Sequence, residues 1–278
     1  ILKIFDLRSL DSFNLAMTLI SSGGFIPVNN LSSIINTNTK EIVFSFTMLV
    51  SFFSIFLSYN LLFIRNKNIS FFHEDILLLI YFITLLIFFY LLFNFDYNFS
   101  VILLSLVSSI SNIGISLDQS PKNLSFIFLI LIIIGGSFFS TSSGIRLLKL
   151  YALFKFAINN LISHVKPKNI FLNKHFFLNI NFEKDEISRY FLSVLIFIIS
   201  LFILTSFLTI SGISLESAFK LSILTLMNTV NSSMHGLSDF NFQELQFFTK
   251  YYLIFFMIIG RVELLTLLII CKKFLFKS

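Results

Sequence analysis

The chain has 278 residues, 56% of them hydrophobic and only 12% charged, with a mean hydropathy of +0.91 and a formal net charge of +6. An ordinary soluble domain carries about 25% charged residues, so that class is excluded and an all-α, multi-pass membrane protein is predicted. The single cysteine, Cys271, excludes a disulfide framework and cysteine-rich metal sites.

A bilayer core needs roughly 20 apolar residues per helix. The first apolar segment, about 11–20, is too short for that. It runs into the break Ser21-Ser22-Gly23-Gly24-Phe25. A charge-free stretch, 42–64, follows and predicts a spanning helix. The second unit begins with a span over 76–95. A short segment, 99–110, then leads into the break Ser111-Asn112-Ile113-Gly114-Ile115. A further span is expected over 124–139, interrupted near its end and resuming over 147–156. The third unit has a span over 190–210, a short segment over 215–227 and the break Asn228-Thr229-Val230-Asn231-Ser232. It closes with a span over 251–271. The count is five spanning helices and three half-length ones. Internal repetition of this kind sets the architecture before any motif does.

Charge placement gives the topology. Arg65 and Lys67 follow the first span. Lys166, Lys168, Lys174, Lys184 and Arg189 precede the span at 190, and Lys272, Lys273 and Lys277 end the sequence. The positive-inside rule makes these regions cytoplasmic, including the C-terminus, in a cell (inner) membrane. The basic bias is therefore topological, and no nucleic-acid partner is expected. The linker around 159–188, with Lys166-Pro167-Lys168, is a solvated loop or a docking surface. The sequence opens on Ile1, and its first half-length segment has no complete helix before it. That reads as the C-terminal part of a longer protein.

Non-helical backbone survives at membrane depth only where it is buried in protein or lines a water-filled path. Backbone carbonyls from several short loops can replace the hydration shell of a cation. Glycine permits the φ values that aim successive carbonyls inward. Each break follows its half-helix, so a C-terminal end, with its partial negative charge, faces the break and favours a cation. Aligning the breaks makes Gly24, Gly114 and Asn231 equivalent, 90 and 117 residues apart.

Two further constellations stand out. The run Gly135-Gly136-Ser137-Phe138-Phe139-Ser140-Thr141-Ser142-Ser143-Gly144-Ile145-Arg146 interrupts a membrane helix with small and hydroxylated residues. Small-residue helix packing does not explain so many polar residues in a row, so a mobile loop below the filter is expected. Gly260-Arg261-Val262-Glu263 puts two charges inside the last helix, each costing about 2.5–3.5 kcal/mol near the membrane centre. Arg261 and Glu263 diverge by about 200° on an ideal helix, so each needs a partner elsewhere. Arg261 is expected to reach the pore or its loop.

Enzyme signals are poor, and no catalytic residue is assigned. His73, His164, His175 and His235 show no metal-ligand spacing. His73-Glu74-Asp75 sits at a predicted cytoplasmic helix start, where acidic side chains suit the helix dipole.

These residues resemble the TrkH/KtrB/HKT family of potassium and sodium transporters, built from four helix–pore loop–helix repeats. Ser21-Ser22-Gly23-Gly24-Phe25 resembles the family's Ser-Thr-Gly-Gly-Phe filter sequence. The run from Gly135 to Arg146 resembles its intramembrane loop in the third repeat. Gly260-Arg261-Val262-Glu263-Leu264-Leu265-Thr266 is similar to its Gly-Arg-Leu-Glu signature in the last helix. The resemblance implies a potassium-channel-like pseudo-fourfold pore. It makes 1–67 an incomplete second repeat, 68–158 the third, 159–188 a cytoplasmic linker and 189–278 the fourth, with the first repeat missing.

Carried over, Ser22, Gly23 and Gly24, Asn112, Ile113 and Gly114, and Thr229, Val230 and Asn231 would supply filter carbonyls for K⁺ or Na⁺. Gly135, Gly136, Ser137, Ser140, Thr141, Ser142, Ser143 and Gly144, with Arg261, would form the gate. The resemblance also implies a homodimer in the lipid bilayer and a cytosolic nucleotide-binding regulatory ring docked on the cytoplasmic face. The chain itself would bind no cofactor, and K⁺ would be the transported ion. The departures are Asn231 for a filter glycine, Phe139 and Ser143 for small residues in the loop, and Arg146 for lysine. Asn231 and Phe139 motivate the alternative of a non-conducting degenerate paralogue or scaffold. A broken-helix secondary transporter of an organic solute is the other alternative.

Overall fold

The computed structural model describes residues 2–5, 7–27, 31–54, 72–93, 97–117, 120–165, 182, 184–237 and 240–261. Three half-length helices set its plan: α1 (Ser9–Ser21), α4 (Phe99–Ile110) and α8 (Leu215–Leu226). Each is followed by a loop and then another helix: α2 (Asn38–Phe52), α5 (Ser125–Ile133) and α9 (Phe247–Arg261). Two long apolar helices, α3 (Phe72–Phe93) and α7 (Lys184–Ile210), precede the second and third of these units. At 1.5 Å per residue they measure about 33 and about 40 Å, enough to cross a hydrocarbon core. The apolar side chains they expose, among them Ile76, Leu79, Ile83 and Ile87 on α3 and Leu195, Ile198 and Phe202 on α7, suit lipid.

The span expected over 124–139 is not continuous. α5 stops at Ile133 after nine residues. Ile134–Gly135 then pairs in parallel with Ile145–Arg146, closing the intervening residues into a loop. The helix resumes as α6 (Leu147–Val165). The short strand pair gives the interrupted backbone partners that it would otherwise lack at membrane depth. The predicted span over 42–64 is described only through α2, and that over 251–271 only through α9; Val262 and Glu263 lie outside the described residues.

Two cores meet at α5. Phe44, Phe52, Phe89, Leu104 and Phe128 belong to a core joining α2, α3, α4 and α5. Leu129 and Ile132, also on α5, join Leu204, Leu208, Leu221 and Phe256 from α7, α8 and α9. The middle half-helix is enclosed on all sides, with every residue from Ser100 to Ile110 buried. The first is not. Leu10, Phe13, Met17 and Ile20 of α1, spaced to share one helical face, are all more than half exposed.

α9 crosses the end of α8 backbone to backbone. A Cβ on Gly260 would overlap the Leu226 carbonyl oxygen. Gly260→Ala must therefore push the two helices apart. Overpacking of this kind costs about 1–3 kcal/mol, so the variant is expected to melt several degrees lower in detergent, as read by intrinsic fluorescence or light scattering.

Candidate functional site

A helix that stops inside a membrane leaves its last carbonyls unpaired. The three half-helices solve this identically. Ser22 N–H donates to Leu19 O and Gly23 N–H to Thr18 O; Asn112 N–H to Ser109 O and Ile113 N–H to Ser108 O; Asn228 N–H to Thr225 O and Thr229 N–H to Leu224 O. Each pair of bonds is a Schellman motif, which needs a left-handed residue just past the helix. Ser22, Asn112 and Asn228 take that role, with φ of 50°, 58° and 51°. Among the described residues they are the non-glycine residues with positive φ.

The motif fixes the register between the loops. Ser22, Asn112 and Asn228 are equivalent, then Gly23, Ile113 and Thr229, then Gly24, Gly114 and Val230. The equivalence of Asn231 with Gly24 and Gly114 expected from the sequence is therefore one residue out. The last of the three segments contains no glycine to align on, and the asparagine that takes left-handed backbone is Asn228, three positions earlier. The Asn231 side chain is used within its own segment: Nδ2 donates to the Leu237 carbonyl at 3.0 Å.

The three loops meet. Gly24 (φ 67°) packs so closely that a Cβ would overlap the Ile113 carbonyl oxygen and the Val230 side chain. Gly114 (φ 80°) packs in the same way on the Val230 carbonyl oxygen and Thr229. Val230, being β-branched, keeps negative φ, so the last loop cannot repeat the second left-handed turn of the other two. Asn228 Nδ2 ties this loop to α9 through the Met257 carbonyl, at 2.9 Å. The hydroxyls of Ser105, Ser109, Ser111, Ser222 and Thr225 bond carbonyls of their own helices. Asn112, by contrast, is buried with neither amide atom bonded.

The loop 135–144 lies against the first of these loops. Thr141 Oγ1 accepts from Ser22 Oγ at 3.0 Å. Arg261 donates from Nη1 to Ser143 Oγ and from Nη2 to the Ser21 carbonyl, both at 3.2 Å, and so bridges the first loop and the 135–144 loop. The loop is laced internally. Arg146 Nη1 reaches Ser137 O, Ser142 O and Ser140 Oγ at 2.8, 2.7 and 3.1 Å, and Gly136 N–H donates to Ser142 Oγ. Ser137 and Ser142 N–H donate to the Phe52 and Ser51 carbonyls at the end of α2. Phe139 is 47% exposed, whereas its neighbour Phe138 lies under Lys149 and beside Tyr190.

Sequence reasoning missed Glu74 and Asp75. They occupy the first turn of α3, as a dipole argument expects, but their carboxylates are spent elsewhere. Glu74 Oε1 accepts from Phe138 N–H at 2.6 Å and Asp75 Oδ1 from Ser54 N–H at 3.3 Å. Such contacts, 64 and 21 residues apart in sequence, leave no local signal.

Between the first loop and the last unit lies a largely apolar cavity of about 830 Å³, lined by Ser22, Gly23, Asn228, Val230, Met257 and Arg261 among others.

The sequence model of the TrkH family, described as a cation transport protein, matches residues 115–276, more than half of the chain. The crystal structure of the potassium transporter TrkH from Vibrio parahaemolyticus has the same fold, with a TM-score of 0.80 over 96% of this chain at 18% identity. The chain spans 59% of that protein's length. No curated protein matches the sequence significantly.

His235, fully buried in the turn after the last loop, accepts from Ser232 N–H at Nδ1, and its Nε2 has no hydrogen-bond partner. Burial pushes its pKa down to about 3. The unfolded chain therefore binds the extra proton below pH 6.5 and the folded chain does not. Stability is full above pH 6.5 and falls as the pH drops toward 3, by about 2 kcal/mol at pH 5. Thermal melts at pH 7.5 and pH 5 are expected to show that loss, and His235→Gln is expected to flatten it.

Proposed function

The chain belongs to the TrkH family of cation transport proteins, whose members move ions and transform no substrate; from that premise we propose that it carries K⁺ inward across the membrane. In this reading the filter carbonyls come from Ser22, Gly23 and Gly24, from Asn112, Ile113 and Gly114, and from Asn228, Thr229 and Val230, with Asn231 at the outer end. The 135–144 loop and Arg261 form the gate at the inner end. Residues 1–67, 68–158 and 189–278 are three successive pore-loop units, and 159–188 is a cytoplasmic linker. The 830 Å³ cavity is the side of the ring open to a further unit. A homodimer and a cytosolic nucleotide-binding regulatory ring complete the assembly.

The observation that carries this reading is the meeting of three half-helix C-termini through their loops, with Gly24 and Gly114 packed against carbonyls of the next loop. Each C-terminus contributes a partial negative charge of about half an elementary charge. No carboxylate is needed to attract a cation there, and carbonyl oxygens suit a weakly hydrated monovalent ion better than a fixed charge does.

Gly114→Val in the full-length protein is expected to abolish radioactive Rb⁺ uptake in a transport-deficient host. The new side chain would meet the Val230 carbonyl at a φ that valine does not adopt. Unchanged uptake would remove the filter assignment. Val230 favours a filter with weakened K⁺ preference, since one loop cannot copy the backbone of the others. Val230→Gly is therefore expected to raise Rb⁺ uptake relative to Na⁺ uptake in the same vesicles. An unaltered ratio would show that Val230 does not set selectivity.

A further inference from the structure

The inner end of α3 reaches across to the 135–144 loop. Glu74 is 7% exposed, and its Oε1 accepts the Phe138 amide proton at 2.6 Å. We propose that Glu74 is the latch that holds this loop across the conduction path, a positioning residue whose bond to Phe138 must break before the loop can leave. The inference rests on the loop being the gate.

Geometry supplies the first argument. The loop's other external backbone anchors are main-chain carbonyls: Ser137 and Ser142 N–H donate to Phe52 O and Ser51 O. They belong to the chain whatever its side chains. Phe138, near the apex of the loop, is held by a side chain. That side chain, Glu74, is a carboxylate.

Charge supplies the second. Arg146 threads the loop, Arg261 bonds Ser143, and Lys149 lies 5.4 Å from the Phe138 ring centroid. Three cations surround a segment rich in carbonyls and hydroxyls, and Glu74 brings a carboxylate to the same segment. A hydrogen bond to an ionised acceptor is roughly twice as strong as a neutral one.

Anchoring supplies the third. The adjacent Asp75, itself buried, accepts from Ser54 N–H just beyond α2. That bond fastens the start of α3 to the end of α2. Glu74 therefore stays with the rigid frame and cannot travel with a moving loop. Any loop conformation that clears the path loses the Phe138 bond, so removing the carboxylate favours the open state.

The test is Rb⁺ flux into proteoliposomes carrying the full-length protein without a regulatory subunit. Glu74→Ala is expected to raise flux roughly tenfold, the factor that a hydrogen bond to a charged group contributes to a two-state balance. Glu74→Gln, which keeps an acceptor oxygen, is expected to lie between parent and Ala. Phe138→Pro removes the donor from the other end of the same bond and is expected to raise flux as well. The double variant is expected to gain no more than either single one. A purely structural role predicts loss of flux, so lowered or unchanged flux in both single variants overturns the latch. Deleting residues 137–142 separates the two ideas. If the deletion raises flux and neither point variant does, the gate stands and the latch falls. If the deletion leaves flux unchanged, the gate reading itself fails.

Discussion

A helix that ends in the middle of a bilayer has carbonyls that no water can reach, and this one cost organises the molecule. α1, α4 and α8 all meet it by turning one residue left-handed and folding its amide and the following one back onto the last turn. The turn sends each chain away from the helix axis toward the other two loops. What solves the capping problem therefore also builds the cluster of carbonyls. The residues that accept the strained turn are a serine and two asparagines. Asparagine takes left-handed backbone more readily than most residues, and each such placement costs on the order of 1–2 kcal/mol. That cost is offset because the same turn satisfies two amides and two carbonyls.

The three units are alike in backbone and unequal in surroundings. The middle half-helix is flanked by a unit on either side and is buried from Ser100 to Ile110, serines included. The first presents an apolar face, Leu10 to Ile20, and the last borders the large cavity. Composition runs the same way as position: α4 carries no charged residue, whereas α1 carries Asp11 and α8 carries Glu216 and Lys220. The loops are unequal as well. Gly24 and Gly114 make a second left-handed turn, and Val230 cannot. The departure from the backbone of the other two loops therefore belongs to Val230, not to Asn231, whose side chain bonds the Leu237 carbonyl of its own segment.

The intramembrane loop depends on a different balance. It has almost no apolar side chains to bury, so polar bonds hold it: Arg146 from within, the end of α2 beneath, Arg261 and Ser22 at the filter side, Glu74 at the flank. Polar networks are strong only while complete. A segment secured in this way depends on each of those bonds, since losing one leaves its partner unsatisfied.

The sequence determined the membrane class, the order of half-helix, break and helix in each unit, the interruption after Ile133, and the prominence of Arg261. These are local properties. Hydrophobic length, small-residue runs and helix-ending residues act within a few positions of one another. Register, enclosure and cross-chain pairing were decided by the tertiary structure. Asn228 rather than Asn231 takes the left-handed turn because of where α8 ends. Val230 matters because it meets Gly24, more than 200 residues away. Glu74 looked like a helix-start acid, and it is one, but its charge is used on a loop 64 residues further along. Such partners share no periodicity or composition in the sequence. They become neighbours only when the loops converge, because each unpaired backbone group must find its partner in space and not along the chain.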